Sequence, residues 1–287
     1  MKVGIIGAGA WGTALGVVSA RGGMDVVMWS FDGLYKVFDG VDMPDGLRVT
    51  SDIGDMAGMD AWLIVTPAAF FRETMVRARS FYAGQPIIIC TKGAEPETCA
   101  FMSEILSDVL PECADFGVLS GPQFAAEVAR GVPTGSTLAA MPRARAAGHE
   151  IFNKLYISDS DDIIGAEYCG VGKNALALIC GYNSVASAGE NERAMIFTRA
   201  WGEVVAIGKK SGARAETFLD LCGIGDLFLS ATSDTSRNFA GGMAIARGEE
   251  VIGTVEGISA LRGLIARGEK LGVDVSVLKQ MRDKMKL

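Results

Sequence analysis

The chain has 287 residues, 49% of them hydrophobic and 21% charged, with a formal net charge of -7. That is enough apolar material for a large core and suggests about two domains. The acidic balance, without a Lys/Arg-rich run, argues against nucleic acid or an anionic membrane as a general partner.

The first element is an apolar strand, Val3-Gly4-Ile5-Ile6, that breaks at Gly7 and is followed by a helical pattern after Gly12. The break spells Gly7-Ala8-Gly9-Ala10-Trp11-Gly12, a G-x-G-x-x-G in the strand-to-helix position of a dinucleotide fold. Gly7 permits the tight turn, Gly9 lets backbone approach a pyrophosphate, and Gly12 lets helix and strand pack closely. A helix N-terminus then meets the anion. The alternative is a glycine-rich turn without a ligand. A strand beginning at residue 3 leaves no room for a signal peptide, and no apolar run looks long enough to span a bilayer; a cytoplasmic location is expected.

Val26-Val27-Met28-Trp29 predicts a second strand, with Asp32 the candidate partner of a ribose and a turn residue as its alternative. Residues 41–53 read as a loop with short elements. Further strands are expected at 61–67, 86–93, 116–122 and 136–140, with helical patterns between many of them. Strands alternating with helices mean a doubly wound parallel sheet, with ligands beyond the strands' carboxyl ends. Pro67, Lys92 and Gly121 follow such ends. Six cysteines show no C-x-x-C and no zinc spacing, so they read as buried thiols. The one histidine, His149, reads as a surface residue, which removes histidine from the proton chemistry.

After about residue 165 the strand signal fades and helices are predicted at 173–188, 194–209, 215–221, 239–247, 257–270 and 277–286. The expected architecture is therefore α/β: a Rossmann-like dinucleotide-binding domain over 1–164, then an all-α substrate-binding and catalytic domain over 165–287. Lys173 leads an otherwise apolar helix. It either snorkels to solvent or is a desolvated amine able to exchange a proton. Asp226 sits in Gly223-Ile224-Gly225-Asp226-Leu227, an acid in a glycine turn before an apolar helix, with a helix N-cap as the alternative. Ser236 can cap the next helix, which leaves Arg237 and Asn238 in its first turn. An arginine there opposes the dipole, so a phosphate suits the spot.

The ordered set of Gly7–Leu15, Thr91-Lys92-Gly93, Ser120-Gly121-Pro122, Gly172-Lys173-Asn174, Gly223–Leu227, Ser236-Arg237-Asn238 and Val255-Glu256-Gly257 resembles the bacterial-type NAD(P)-dependent glycerol-3-phosphate dehydrogenases over nearly the whole chain. The resemblance implies reversible hydride transfer between sn-glycerol 3-phosphate and dihydroxyacetone phosphate, which supplies phospholipid synthesis. It implies Lys173 as general acid/base, with Lys92 and Asp226 beside it. For the cofactor it implies Gly7, Gly9, Ala10, Trp11, Gly12, Lys92, Ala125, Arg237, Thr254 and Glu256. For the substrate it implies Lys92, Gly121, Gln123, Lys173, Asp226, Ser236, Arg237 and Asn238. Neither a metal nor membrane insertion is expected, and the sequence admits a homodimer without fixing the oligomeric state.

Two departures stand out. Phe31 occupies the place of the arginine that suits a 2′-phosphate, which leans the choice of NAD or NADP towards NAD. Gln123 replaces a serine. The rival readings are a β-hydroxyacid-type dehydrogenase, disfavoured because Ala177 stands where that family has asparagine, and an inactive NAD(P) sensor.

Overall fold

The computed structural model describes residues 1–287 except Asp234, Ile252 and Thr254. The chain forms two compact units, Met1–Lys92 with Ala100–Ile163, and Gly93–Cys99 with Ile164–Leu287.

The first unit is built on an eight-stranded sheet. Its strands are β1 (Lys2–Ile6), β2 (Asp25–Trp29), β3 (Leu47–Thr50), β4 (Ala61–Ile64), β5 (Ile87–Ile89), β6 (Phe116–Ser120), β7 (Gly135–Ala140) and β8 (Tyr156–Ser160). They lie in the order β3-β2-β1-β4-β5-β6-β7-β8. Every neighbouring pair is parallel except β6 and β7. Near-continuous apolar runs suit strands covered on both faces. Ile5, Leu63 and Ile88 stand in register across β1, β4 and β5 and are fully buried in one cluster. Each such side chain contributes about 1.5–3 kcal/mol on burial. Helices α1 (Ala10–Arg21), α2 (Ala68–Ala78), α3 (Met102–Val109), α4 (Ala125–Arg130) and α5 (Pro142–Ile151) connect the strands. Strand order switches direction between β1 and β4, the place where sheets of this kind bind ligands.

Two strands were not anticipated. β3 falls inside the stretch read as loop, and β8 follows α5 with a sequence of only one aliphatic residue, Tyr156-Ile157-Ser158-Asp159-Ser160. Both are sheet edges, half-buried rather than buried, so neither needs an apolar run.

The second unit is helical: α6 (Ile163–Ala186), α7 (Glu190–Lys210), α8 (Asp226–Ala231), α9 (Arg237–Arg247), α10 (Glu256–Lys270) and α11 (Ser276–Lys284). α6 begins ten residues before the expected start, so Lys173 lies in mid-helix. Glycines in α6 and α9 serve packing. A Cβ on Gly172 would lie 2.6 Å from Cγ1 of Val204 on α7. Cβ atoms on Gly181 and Gly242 would lie 1.9 Å from the Phe239 carbonyl oxygen and 2.1 Å from that of Leu178. The backbones of α6 and α9 therefore touch, at a cost of about 1 kcal/mol per helical glycine. The early start also corrects the membrane reading. By length and composition α6 is apolar enough to cross a bilayer, but most of its apolar stretch is buried within the protein.

Candidate active site

In the first unit the site is built at the end of β1. Gly7 has φ +118°, and a Cβ there would lie 2.8 Å from the Val65 carbonyl. A Cβ on Gly12 would lie 1.8 Å from the Gly7 oxygen, so only glycine lets α1 start against the turn. A Cβ on Gly9 would meet nothing within 4 Å, which leaves its backbone open to a ligand. Gly9 is also the N-cap of α1 and offers no side chain to the first N–H groups, and no acidic residue lies in the first turn. Those groups need an acceptor, and an anion is a good one. Ala10 is exposed beside them, and the half-buried Trp11 carries a buried Nε1 with no hydrogen-bond partner. These observations fit a dinucleotide whose pyrophosphate lies over Gly9 and the first turn of α1.

Beyond β2 the loop is tied back to the turn. The Lys36 N–H donates to Thr13 Oγ1 at 3.2 Å and to the Ala8 oxygen at 3.3 Å. Asp32 accepts from Ser30 Oγ at 3.2 Å and from the Leu34 N–H at 3.0 Å, an Asx turn that gives its carboxylate a local task. Phe31 is 78% exposed, with the Arg77 guanidinium 5.7 Å from its ring centroid.

The carboxyl ends of β4, β5 and β6 are stitched together. Thr91 Oγ1 donates to the Thr66 oxygen at 2.7 Å, and Lys92 Nζ donates to the Gly121 oxygen at 3.0 Å. A Cβ on Gly121 would lie 2.8 Å from Ser136 Cα, so the loop runs flat against β7. Two residues on, half-buried Gln123 holds its Nε2 buried with no partner. Ala125, also half-buried, opens α4. His149 Nε2 lies 2.9 Å from an oxygen of Asp159 on the surface, as its surface reading expected.

In the second unit Lys173, Asp226 and Ser230 form a triangle. Lys173 Nζ is 3.4 Å from Asp226 Oδ1 and donates to Ser230 Oγ at 3.2 Å. Ser230 Oγ donates to Asp226 Oδ1 at 3.3 Å. The carboxylate is 2% exposed and the lysine side chain 15%. The snorkelling alternative for Lys173 is thus wrong, because its amine is held inward by a buried acid. The capping alternative for Asp226 also fails. The N-cap of α8 is Gly225, and Asp226 is the first helical residue with its carboxylate turned to Lys173. A π-turn, Leu221–Gly225, sets that direction. A Cβ on Gly223 would lie 2.2 Å from the Phe218 oxygen, so the turn depends on glycine.

Ser236 caps α9 by accepting from the Phe239 N–H at 3.4 Å, which leaves Arg237 exposed in the first turn. Among the described residues no carboxylate pairs with Arg237. Asn238 points inward. Its Nδ2 donates to Asn174 Oδ1 at 2.9 Å, and its Oδ1 accepts from the Gly257 N–H at 2.8 Å. Asn174 Nδ2 in turn donates to Glu256 Oε2 at 3.2 Å. Glu256 opens α10, and Thr254 lies outside the described residues.

Sequence reasoning missed Ser230 and the linking part played by Asn174. The spacing of Asp226 and Ser230, one helical turn apart, was the available signal for the first. No sequence signal marked Asn174 as the bridge between α9 and α10.

Two family models match the chain. The NAD-dependent glycerol-3-phosphate dehydrogenase N-terminus matches residues 2–146, and the C-terminus of the same family matches residues 162–284. Glycerol-3-phosphate dehydrogenase [NAD(P)+] of Parvibaculum lavamentivorans is 38% identical, over 96% of this chain and 89% of its own length. The protein of that description from Paramagnetospirillum magneticum is 41% identical, over 83% of this chain and 92% of its own. Among solved structures, the glycerol-3-phosphate dehydrogenase of Coxiella burnetii is similar with a TM-score of 0.89 and 28% identity, covering 99% of this chain and 94% of that one.

Proposed function

The chain belongs to the NAD-dependent glycerol-3-phosphate dehydrogenase family, and from that premise we propose that it interconverts sn-glycerol 3-phosphate and dihydroxyacetone phosphate with NAD or NADP. The bound nicotinamide supplies and accepts the hydride. The chain's own residues bind, orient and move the proton. Membership of this family leaves the β-hydroxyacid alternative without support.

The observation that carries the reading is the Lys173–Asp226–Ser230 triangle. Reduction of the ketone places a proton on the C2 oxygen, and oxidation removes it. Lys173 Nζ is the group assigned to that oxygen. Asp226 stabilises the ammonium from one side, and Ser230 fixes where it points. Arg237, exposed on a helix N-terminus with its fork free of described carboxylates, receives the phosphate together with Ser236. Asn238 has one amide hydrogen left for a substrate oxygen once Asn174 is served. Lys92, Gly121 and Gln123 take the other end of the substrate. The unpartnered Gln123 Nε2 supports that role.

For the cofactor the reading assigns Gly7, Gly9, Ala10, Trp11, Gly12, Lys92 and Ala125, with Arg237, Thr254 and Glu256. Phe31 carries no charge for a 2′-phosphate, and this supports NAD over NADP. The division into a dinucleotide-binding domain over 1–164 and a substrate domain over 165–287 belongs to the same proposal, as do a homodimer, a cytoplasmic location and supply of phospholipid synthesis.

The test is NADH oxidation on addition of dihydroxyacetone phosphate, repeated with NADPH. Turnover that requires the ketone phosphate and favours NADH is expected. Tight NADH binding without turnover of either cofactor would instead favour the sensor alternative.

A further inference from the structure

The segment Gly93–Cys99 groups with the second unit, although both its chain neighbours, Lys92 and Ala100, belong to the first. It closes one turn, with the Cys99 N–H donating to the Glu95 oxygen at 2.8 Å. Glu95 is buried and accepts from Thr98 Oγ1. Cys99 ends that turn with φ +58°, a left-handed conformation that a side chain with a Cβ adopts at a cost. Such a conformation persists only where its surroundings impose it.

Arg267, on α10, holds the carbonyl of that residue. Nε donates to the Cys99 oxygen at 3.1 Å and Nη2 donates to the same oxygen at 2.8 Å. Gly263, one turn earlier on α10, would bring a Cβ within 3.5 Å of the Cys99 Cβ and Sγ, an ordinary contact. A planar fork on one carbonyl fixes direction as well as distance, which a single ammonium does not. At the other end of the segment stands Lys92, whose Nζ is held on the Gly121 oxygen. Gly93 turns the chain between them with φ +123°.

We propose that Arg267 is a positioning residue for Lys92, acting by clamping the Gly93–Cys99 strap through the Cys99 carbonyl. The inference rests on the assignment of Lys92 to substrate. A displacement on the ångström scale at a reacting group costs up to about a hundredfold in rate, so loss of the clamp at one end of a seven-residue strap is expected to cost about tenfold.

The experiment is a double-mutant cycle on kcat/KM for dihydroxyacetone phosphate, with NADH affinity and thermal unfolding measured alongside. Arg267→Ala should lower kcat/KM about tenfold and have no effect in a Lys92→Ala background. Arg267→Lys, with an ammonium in place of the fork, should recover part of the loss. It takes the place of Arg267→Ala in the cycle if that variant does not fold. Equal losses in both backgrounds, or no loss from Arg267→Ala, would overturn the proposal while leaving the role of Lys92 intact. A Lys92→Ala variant with full kcat/KM would overturn the assignment of Lys92 and this inference with it.

Discussion

Asp226→Asn removes one buried charge and almost no volume. Asp226 Oδ1 lies 3.4 Å from Lys173 Nζ, and the carboxylate is 2% exposed. At an effective dielectric of about 20, unit charges at that separation attract by about 5 kcal/mol. The variant does not lose all of it. The amide keeps an oxygen for Ser230, and the lysine side chain is 15% exposed, so solvent compensates in part. With half of the interaction expressed in the transition state, the loss is about 2–3 kcal/mol, or roughly 30- to 150-fold in kcat. The assay is steady-state oxidation of sn-glycerol 3-phosphate by NAD, the direction in which Lys173 gains its proton and Asp226 stabilises the ammonium as it forms, with NADH affinity measured by fluorescence. A kcat within threefold of wild type, in a protein that still folds, would refute the reasoning. So would a loss carried wholly by NADH affinity.

Arg237→Ala should raise the KM for dihydroxyacetone phosphate roughly 10- to 150-fold, the cost of about 1.5–3 kcal/mol for charged hydrogen bonds; unchanged KM with weakened NADH binding would reassign the arginine. Gly9→Ala and Gly12→Ala should separate binding from folding. The first meets no atom within 4 Å and should weaken NADH binding at least tenfold, an order-of-magnitude estimate for a blocked pyrophosphate approach, with the unfolding temperature unchanged. The second meets the Gly7 oxygen at 1.8 Å and should lower the unfolding temperature. Burial pushes the thiol of Cys90 up, and that of Cys180 up to about 12. Unfolded thiols titrate near 8.5, so above that pH the unfolded chain binds fewer protons than the folded one, and stability falls as pH rises. The slope should reach about 1.4 kcal/mol per pH unit for each thiol. Urea unfolding at pH 8 and pH 10 should show the fall, and the Cys90→Ala, Cys180→Ala double variant should flatten it.

Legibility in the sequence followed burial and chain distance. β1, β4 and β5 are covered on both faces and announce themselves as apolar runs. β3 and β8 lie at the edges, where a strand satisfies its backbone on one side and its side chains need not be apolar. Gly7, Gly9 and Gly12 act within a single turn, so their spacing carries their mechanics. Gly172, Gly181 and Gly242 act across helix contacts, which no spacing along the chain encodes. The individual residues Lys173, Asp226 and Arg237 were legible as chemical types in unusual places. That Asp226 turns inward to Lys173 was not, because the π-turn at Leu221–Gly225 sets its direction and no local pattern encodes it. Ser230 and Asn174 belong to the same class: their parts come from partners 57 and 64 or 82 positions away.

The proton assignment is tested most directly by Lys173→Ala, assayed for NADH oxidation with dihydroxyacetone phosphate and for NADH binding on the same preparation. Removal of a general acid–base should cost about two orders of magnitude or more in turnover, with NADH affinity retained. Turnover at the wild-type level would contradict the account.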